Sequence, residues 1–323
     1  MTTFEKKLSV TVDLATSTLP QAFNTAVLFL VFNRLDTTKQ VFSEIREAKP
    51  PRFYIASDGA RTSREGEDIV VQSIRDYLKN NIDWECEVKT LFRDKNLGCK
   101  HAVSEAITWF FENEEMGIIL EDDCLPDATF FYFCQELLER YRDDQRIGMI
   151  SGDNFQFGNR RNDDSYYFSK YVHIWGWATW RDRWIGSYDV TMAKWSRVRD
   201  EGLLIDILGS RREAGVWQKT FEKAYCSEID TWDYQWVFAN FLEGRMSILP
   251  NVNMISNVGF NEAATHTLGE SDLANIPRHA VEFPLIHPLG FIINRQADLY
   301  TGNRYIHVSL MSRIINKLMK LFR

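Results

Sequence analysis

Cysteine, proline and glycine are all scarce: the 323 residues include 5 Cys, 8 Pro and 17 Gly. The cysteines, at positions 86, 99, 124, 134 and 226, are too sparse for a disulfide scaffold and lack the paired spacing of a zinc site, so a reducing compartment is expected. So little glycine and proline excludes collagenous and low-complexity chains. Long apolar runs are missing too. The longest, residues 26–32, is far too short to cross a bilayer, and residues 1–24 lack the basic start and apolar stretch of a signal peptide, so neither a membrane span nor export is expected. Positive charge is in deficit, with 38 Lys and Arg against 45 Asp and Glu, a formal net charge of −7, which argues against a protein that coats nucleic acid through its phosphates. Repeats and linkers rich in Gly, Pro or Ser are lacking, so one continuous domain with two functional regions is expected.

What is present is an ordinary globular balance, 45% hydrophobic and 26% charged, in a chain long enough for one large α/β unit or two apposed lobes. The charge is uneven. Residues 299–323 carry Arg304, Arg313, Lys317, Lys320 and Arg323 and no acid, so the body is more acidic than the whole. The tryptophans are uneven as well: eight of the ten lie between Trp175 and Trp236. A buried core accounts for most of them, while a flat apolar platform for a sugar ring is the functional alternative, with Trp177 the candidate for an acceptor platform.

Residues 24–32 (NTAVLFLVF) read as a strand buried on both faces. Strands follow at 52–57, 87–92 and 116–120, separated by helices at 37–48, 65–79 and 102–111, an alternation that predicts a parallel sheet with crossover helices. Beyond Pro126 the spacing predicts helices at 130–141, 203–208, 215–224 and 232–242, and strands at 147–151, 166–172 and 247–249. Ligands of open parallel sheets bind beyond the carboxyl ends of the strands, and polar residues stand there: Asn33-Arg34, Asp58-Gly59, Arg93-Asp94 and Glu121-Asp122-Asp123.

The triplet Glu121-Asp122-Asp123 is the sharpest of these, because three adjacent carboxylates after the apolar run MGIIL repel one another unless a cation or hydrogen bonds compensate. A hard divalent metal, Mn2+ or Mg2+, suits carboxylate oxygen and takes the rest of its ligands from water and substrate phosphates. The alternative is a solvated acidic turn leading into a helix. Asn96-Leu97-Gly98 predicts a tight turn that leaves helix N–H groups free near a ligand, or a plain helix start.

The combination of strand ends NR and SDG, the segment RDKNLG and the strand-terminal EDD resembles the nucleotide-sugar half of a GT-A glycosyltransferase. Within that fold the chain is similar to the N-acetylglucosaminyltransferase I group: EDDCLPDATFFYF matches the acidic triplet and its aromatic helix, residues 174–180 a glycine-tryptophan segment, and Trp232-Asp233 a tryptophan-aspartate helix start. The likeness spans residues 27–266 with gaps, and Cys124 directly after the triplet departs from the pattern.

This resemblance implies an α/β GT-A domain over residues 25–298, with a nucleotide-sugar region at 25–125 and an acceptor region at 126–298, an extension at 1–24 and a basic amphipathic tail at 299–323. It implies a metal-dependent inverting transferase moving a sugar, N-acetylglucosamine being the family's example, from a UDP-sugar to a glycan or lipid-linked acceptor. Arg34 would contact the nucleotide phosphate or ribose, Asp58 the uracil, Glu121 and Asp122 the sugar and ribose, and Asp123 the metal. Asp233 matches the catalytic base, with Asp230 and Glu228 as neighbouring competitors, and His266 a loop that closes over the donor. The residues alone also allow Arg34 as a sheet-edge cap, Asp58 as an Asx-turn with Gly59, Asp233 as a first-turn acid and His266 as a surface histidine.

Two other functions compete. A sugar nucleotidyltransferase needs a glycine-rich phosphate loop after the first strand, and NRLDTTKQ has no glycine. A non-enzymatic glycan-binding surface protein would bind sugar indifferently to nucleotide and metal. The expected location is cytoplasmic, with peripheral attachment to an anionic membrane if the tail, whose basic side chains share one helical face, lies at the interface rather than packing on the domain.

Overall fold

The computed structural model describes residues 22–259 and 272–306. The candidate His266 and the tail beyond residue 306 lie outside them. Ten strands are described: β1 (Val27–Val31), β2 (Arg52–Ser57), β3 (Glu87–Phe92), β4 (Met116–Glu121), β5 (Cys124–Pro126), β6 (Ile147–Ser151), β7 (Tyr166–Ser169), β8 (Trp177–Trp180), β9 (Met246–Pro250) and β10 (Ile255–Asn257). The helices are α1 (Leu35–Ala48), α2 (Glu67–Asn81), α3 (Gly98–Asn113), α4 (Ala128–Arg140), α5 (Arg181–Ser187), α6 (Trp195–Asp200), α7 (Leu204–Leu208), α8 (Arg211–Tyr225), α9 (Asp233–Leu242) and α10 (Arg295–Thr301).

Eight strands form one sheet in the order β3-β2-β1-β4-β8-β6-β9-β7. The β1–β2, β2–β3, β1–β4 and β6–β9 pairs are parallel, while β8 runs antiparallel to both β4 and β6 and β7 antiparallel to β9. The result is a mostly parallel sheet flanked by helices, the α/β class that the alternation of elements predicts. β5 and β10 make a separate antiparallel ribbon, with Cys124 opposite Asn257.

The apolar runs bury both faces of this sheet, as crossover helices require. Val27, Phe29 and Val31 of β1 join Val41, Phe42 and Ile45 of α1 and Ile74 and Leu78 of α2 on one face. The alternate residues Ala26, Leu28 and Leu30 meet Ala106, Ile107 and Phe110 of α3 and Trp236 of α9 on the other. A third cluster, built from Trp195, Phe221, Phe238 and Phe241, holds α6, α8 and α9 together as a helical lobe. Local chemistry sets several helix starts: Asp127 accepts the Thr129 N–H at 2.9 Å to begin α4, and Asn294 the Ala297 N–H at 3.1 Å to begin α10.

Strands at 52–57, 87–92 and 147–151 fall where the sequence puts them, and the first is shorter than expected, Val27–Val31. The tryptophan segment supplies a strand, β8, that its composition does not announce. Helix α10 runs across the expected boundary at residue 298, burying Ala297, Asp298 and Thr301 against the domain. All five cysteines are free thiols. No helix among the described residues is long and apolar enough to cross a membrane.

Candidate active site

The carboxyl ends of β1, β2, β3 and β4 lie side by side, and the residues that follow them line a cleft of about 220 Å³. Arg34, Asp58, Arg93, Asn96, Glu121 and Asp122 face it together, as does Asp230 from the second half of the chain. Four of the sequence-derived donor residues are thereby brought to one place.

At the end of β4 the acidic triplet is divided by the pleat and by Arg34. The guanidinium donates to Asp122 Oδ1 at 2.5 Å and to Asp123 Oδ2 at 2.8 Å, and the Phe32 N–H donates to Asp122 Oδ2 at 3.2 Å. Asp122 is only 2% exposed, so both its oxygens serve the turn between β1 and α1. Burial raises its pKa against the opposing pull of Arg34. Glu121 is raised as well, first by burial and then by the negative charges of Asp123 and Asp122. Gly259 closes over this pair, since a Cβ there would stand 2.2 Å from Asp123 Oδ2 and 2.6 Å from Arg34 Nη1, and the Val258 N–H donates to the Asp123 carbonyl at 2.8 Å.

Asp58 is an organiser of the backbone. Its Oδ1 accepts the N–H of the next residue, Gly59, at 2.9 Å, Oδ2 accepts Asn96 Nδ2 at 2.9 Å and the Gly98 N–H at 3.2 Å, and both oxygens lie 3.1 Å from the Leu97 nitrogen. Asp230 completes the same helix start, accepting the Cys99 and Lys100 N–H groups at 3.0 and 3.1 Å. The expectation of free N–H groups at Asn96-Leu97-Gly98 is therefore corrected: two carboxylates satisfy them, as the positive end of a helix favours. Gly98 is required there, because its φ is +77° and a Cβ added to it would stand only 2.6 Å from Asp230 Oδ2.

Asp233 opens α9, with Oδ1 accepting the Tyr234 N–H at 2.9 Å and the Thr231 hydroxyl. Burial first, and then neighbouring carboxylates that include Asp233, raise the pKa values of Glu121 and Cys99; Asp233 itself lies three residues beyond Asp230, which lines the cleft. Of its competitors, Asp230 is committed to α3 and Glu228 is exposed. The structure corrects the reading of Trp177 as a platform: it is completely buried and stacks on Trp232 with ring centres 5.7 Å apart, so no face is open to a sugar and it instead supports the residue preceding Asp233.

Two members of the site carry no signal in the sequence. Arg75, midway along α2, donates to Ser57 Oγ at 3.0 Å, to the Asp58 carbonyl at 3.0 Å and to the Arg93 carbonyl at 2.7 Å, fastening the ends of β2 and β3. Glu67, at the start of α2, accepts Asn33 Nδ2 at 2.8 Å and the Arg61 N–H at 2.7 Å and pairs with the Arg61 side chain. Arg61 holds its carboxyl well below the usual range, at about 2.

No protein-family model matches this chain, and no curated protein matches it in sequence. Solved structures do. A mannosyltransferase from Pyrobaculum calidifontis, in complex with GDP-Man and Mn2+, shares 15% identity over 68% of this chain and 70% of its own, with a TM-score of 0.37. TarS residues 1–349 from S. aureus share 10% identity over 49% of this chain and 47% of theirs, with a TM-score of 0.33. A UDP-glucose pyrophosphorylase complexed with UDP-glucose shares 14% identity over 45% of this chain and 62% of its own, with a TM-score of 0.25. Likenesses this distant carry no argument, and the functional reading rests on the cleft.

Proposed function

We propose that the chain is a metal-dependent inverting glycosyltransferase that takes a sugar, N-acetylglucosamine in the family it resembles, from a UDP-sugar and passes it to a glycan or lipid-linked acceptor. The observation that carries this reading is the convergence of Arg34, Glu121, Asp122 and Asp123 at the carboxyl edge of the sheet, with Asp233 at the start of α9, three residues after the cleft-lining Asp230. The turn from β1 to α1 contains no glycine, which disfavours the nucleotidyltransferase alternative.

In the proposed transfer, Asp233 accepts the proton of an acceptor hydroxyl as that oxygen bonds to the anomeric carbon, while the bond from that carbon to the diphosphate breaks and UDP leaves. Arg34 would face the donor phosphate or ribose, and Glu121 the sugar. Asp58 and Asp122, both engaged within the protein, would have to share their oxygens with uracil and ribose. His266, which the resemblance sets over the donor, lies outside the described residues.

No three His, Cys, Asp or Glu side chains gather around one point among the described residues. Mn2+ or Mg2+ would therefore be held by one or two carboxylates and otherwise by water and diphosphate. Asp123 fits best, since among the described residues its Oδ1 meets only the Cys124 thiol, at 3.5 Å. When bound, such an ion would neutralise charge on the departing diphosphate.

The test is thermal stability with UDP and Mn2+, because a ligand that binds only the native state raises the melting temperature by mass action. UDP plus Mn2+ should raise it, and Asp123→Asn should lose most of the rise. GDP-, CMP- and dTDP-sugars serve as comparisons, and a wild-type response from the variant would remove Asp123 as the metal ligand.

A further inference from the structure

The turn after β1 puts two claims on one guanidinium. Arg34 Nη2 donates to Asp122 Oδ1 at 2.5 Å and Nη1 to Asp123 Oδ2 at 2.8 Å, so a single fork bridges two neighbouring carboxylates. The arginine side chain is 20% exposed and that of Asp123 15%, so little water screens the pair. Gly259 lies close enough to both to leave no room for a side chain beside them. The best-placed carboxylate for a metal ion is thus already paired with a cation of the chain's own.

A divalent ion on Asp123 would set two further positive charges next to the guanidinium on the same carboxylate. Like charges at such range oppose one another strongly where water is scarce, so the ion and Arg34 compete for Asp123. A diphosphate resolves the competition, because its oxygens match the planar fork of a guanidinium as well as a carboxylate does. The backbone of the turn does not depend on where the fork points. The Phe32 N–H donates to Asp122 Oδ2 at 3.2 Å, and the Arg34 carbonyl accepts the Thr38 N–H at 3.0 Å and the Thr38 hydroxyl at 2.6 Å. The side chain can therefore change partners while α1 keeps its start.

We propose that Arg34 is a latch on the metal site: it holds Asp123 until the diphosphate of the donor takes the guanidinium, and only then is the carboxylate open to Mn2+ or Mg2+. The proposal rests on the metal-dependent donor reading and adds how the two ligands depend on each other. Each should tighten the other by the same factor, as reciprocal linkage requires. Direct contact between the ion and the diphosphate would couple them too. What belongs to Arg34 is the low affinity for the ion without nucleotide, which a variant can isolate.

Equilibrium dialysis of Mn2+ against the full chain, with and without UDP, tests this by binding rather than turnover. UDP should tighten Mn2+ binding to wild type by about tenfold or more, within the usual range of coupling between sites. Without UDP, Arg34→Gln should bind Mn2+ severalfold more tightly than wild type. Arg34→Lys, which preserves the charge should the glutamine variant fail to fold, lacks the planar fork and should gain in the same direction. Arg93→Gln removes a different positive charge from the same cleft and should leave nucleotide-free binding unchanged. An equal gain in the Arg93 and Arg34 variants, or no gain in the Arg34 variants while UDP still brings Mn2+ to wild type, overturns the latch and leaves the donor reading standing. No Mn2+ on wild type even with UDP overturns the metal-dependent reading and the latch together.

Discussion

Asp58 and Asp230, from opposite halves of the chain, bind consecutive N–H groups of one helix start: Asp58 takes Leu97 and Gly98, and Asp230 takes Cys99 and Lys100. The first half's crossover helix is thus held to the turn that leads into α9 and Asp233.

Asp230→Ala should lower stability by about 1 kcal/mol, the usual consequence of losing a carboxylate cap. Gly98→Ala should destabilise further, because it adds left-handed backbone strain of about 1 kcal/mol to the clash with Asp230. Urea unfolding of both variants checks the order. Asp230→Ala should retain transfer, which separates its role from that of Asp233.

Asp233→Asn should keep the stabilisation by UDP and Mn2+ yet lose transfer by about 100-fold or more, as expected on removing a general base. Retained turnover would move the base elsewhere. NMR of the product's anomeric configuration tests inversion independently.

The pairing of Glu67 with Arg61 predicts an acid limb in stability. Its carboxyl titrates near 2 in the folded chain against an ordinary 4.5, so the folded state favours the charged form. That contribution is complete above about pH 4.5 and is lost as pH falls towards 2; it is on the order of 3 kcal/mol from the linkage relation. Glu67→Gln should flatten that part of a melting-temperature profile from pH 6 to pH 2 and leave the profile above pH 5 unchanged in shape.

The basic tail gives a salt-dependent expectation. If residues 309–323 lie at a headgroup boundary, vesicle binding should rise with anionic lipid and fall with added salt, and truncation before Ser309 should abolish it. A truncated chain that is merely unstable, from a parent that ignores anionic vesicles, would assign the segment to the core instead.

The first half of the fold was legible because β1, β2 and β4 are short apolar runs closed by a turn: 52–57 ends at Asp58-Gly59, and 116–121 ends at the acidic triplet. β8 was not, since WATW is buried on both faces and has no alternation to read. β5 and β10 are three residues each and exist through pairing with one another across a long separation. In the site, residues at strand ends could be found from position alone. Arg75 and Glu67 could not, because each belongs to a helix whose local pattern says nothing of what its side chain reaches. Trp177 misled for a related reason: its ring chemistry suits a sugar, but burial is decided by Trp184, Trp232 and Trp236 around it.

β8 also governs how the two halves of the molecule are aligned. Among the described residues it supplies the sheet's hydrogen-bonded link between β4 and β6, through Ile118 and Ile150 opposite Ala178 and through Ile119 and Ser151 opposite Trp177. Strand side chains alternate between faces, so a slip of one residue there would exchange Trp177 with Ala178 and turn the tryptophan away from its neighbours. An insertion or deletion within those four residues would consequently misalign the cleft at the ends of β1 to β4 with the elements beyond β6 even with every polar side chain intact, which makes this rung the molecule's ruler between its two halves.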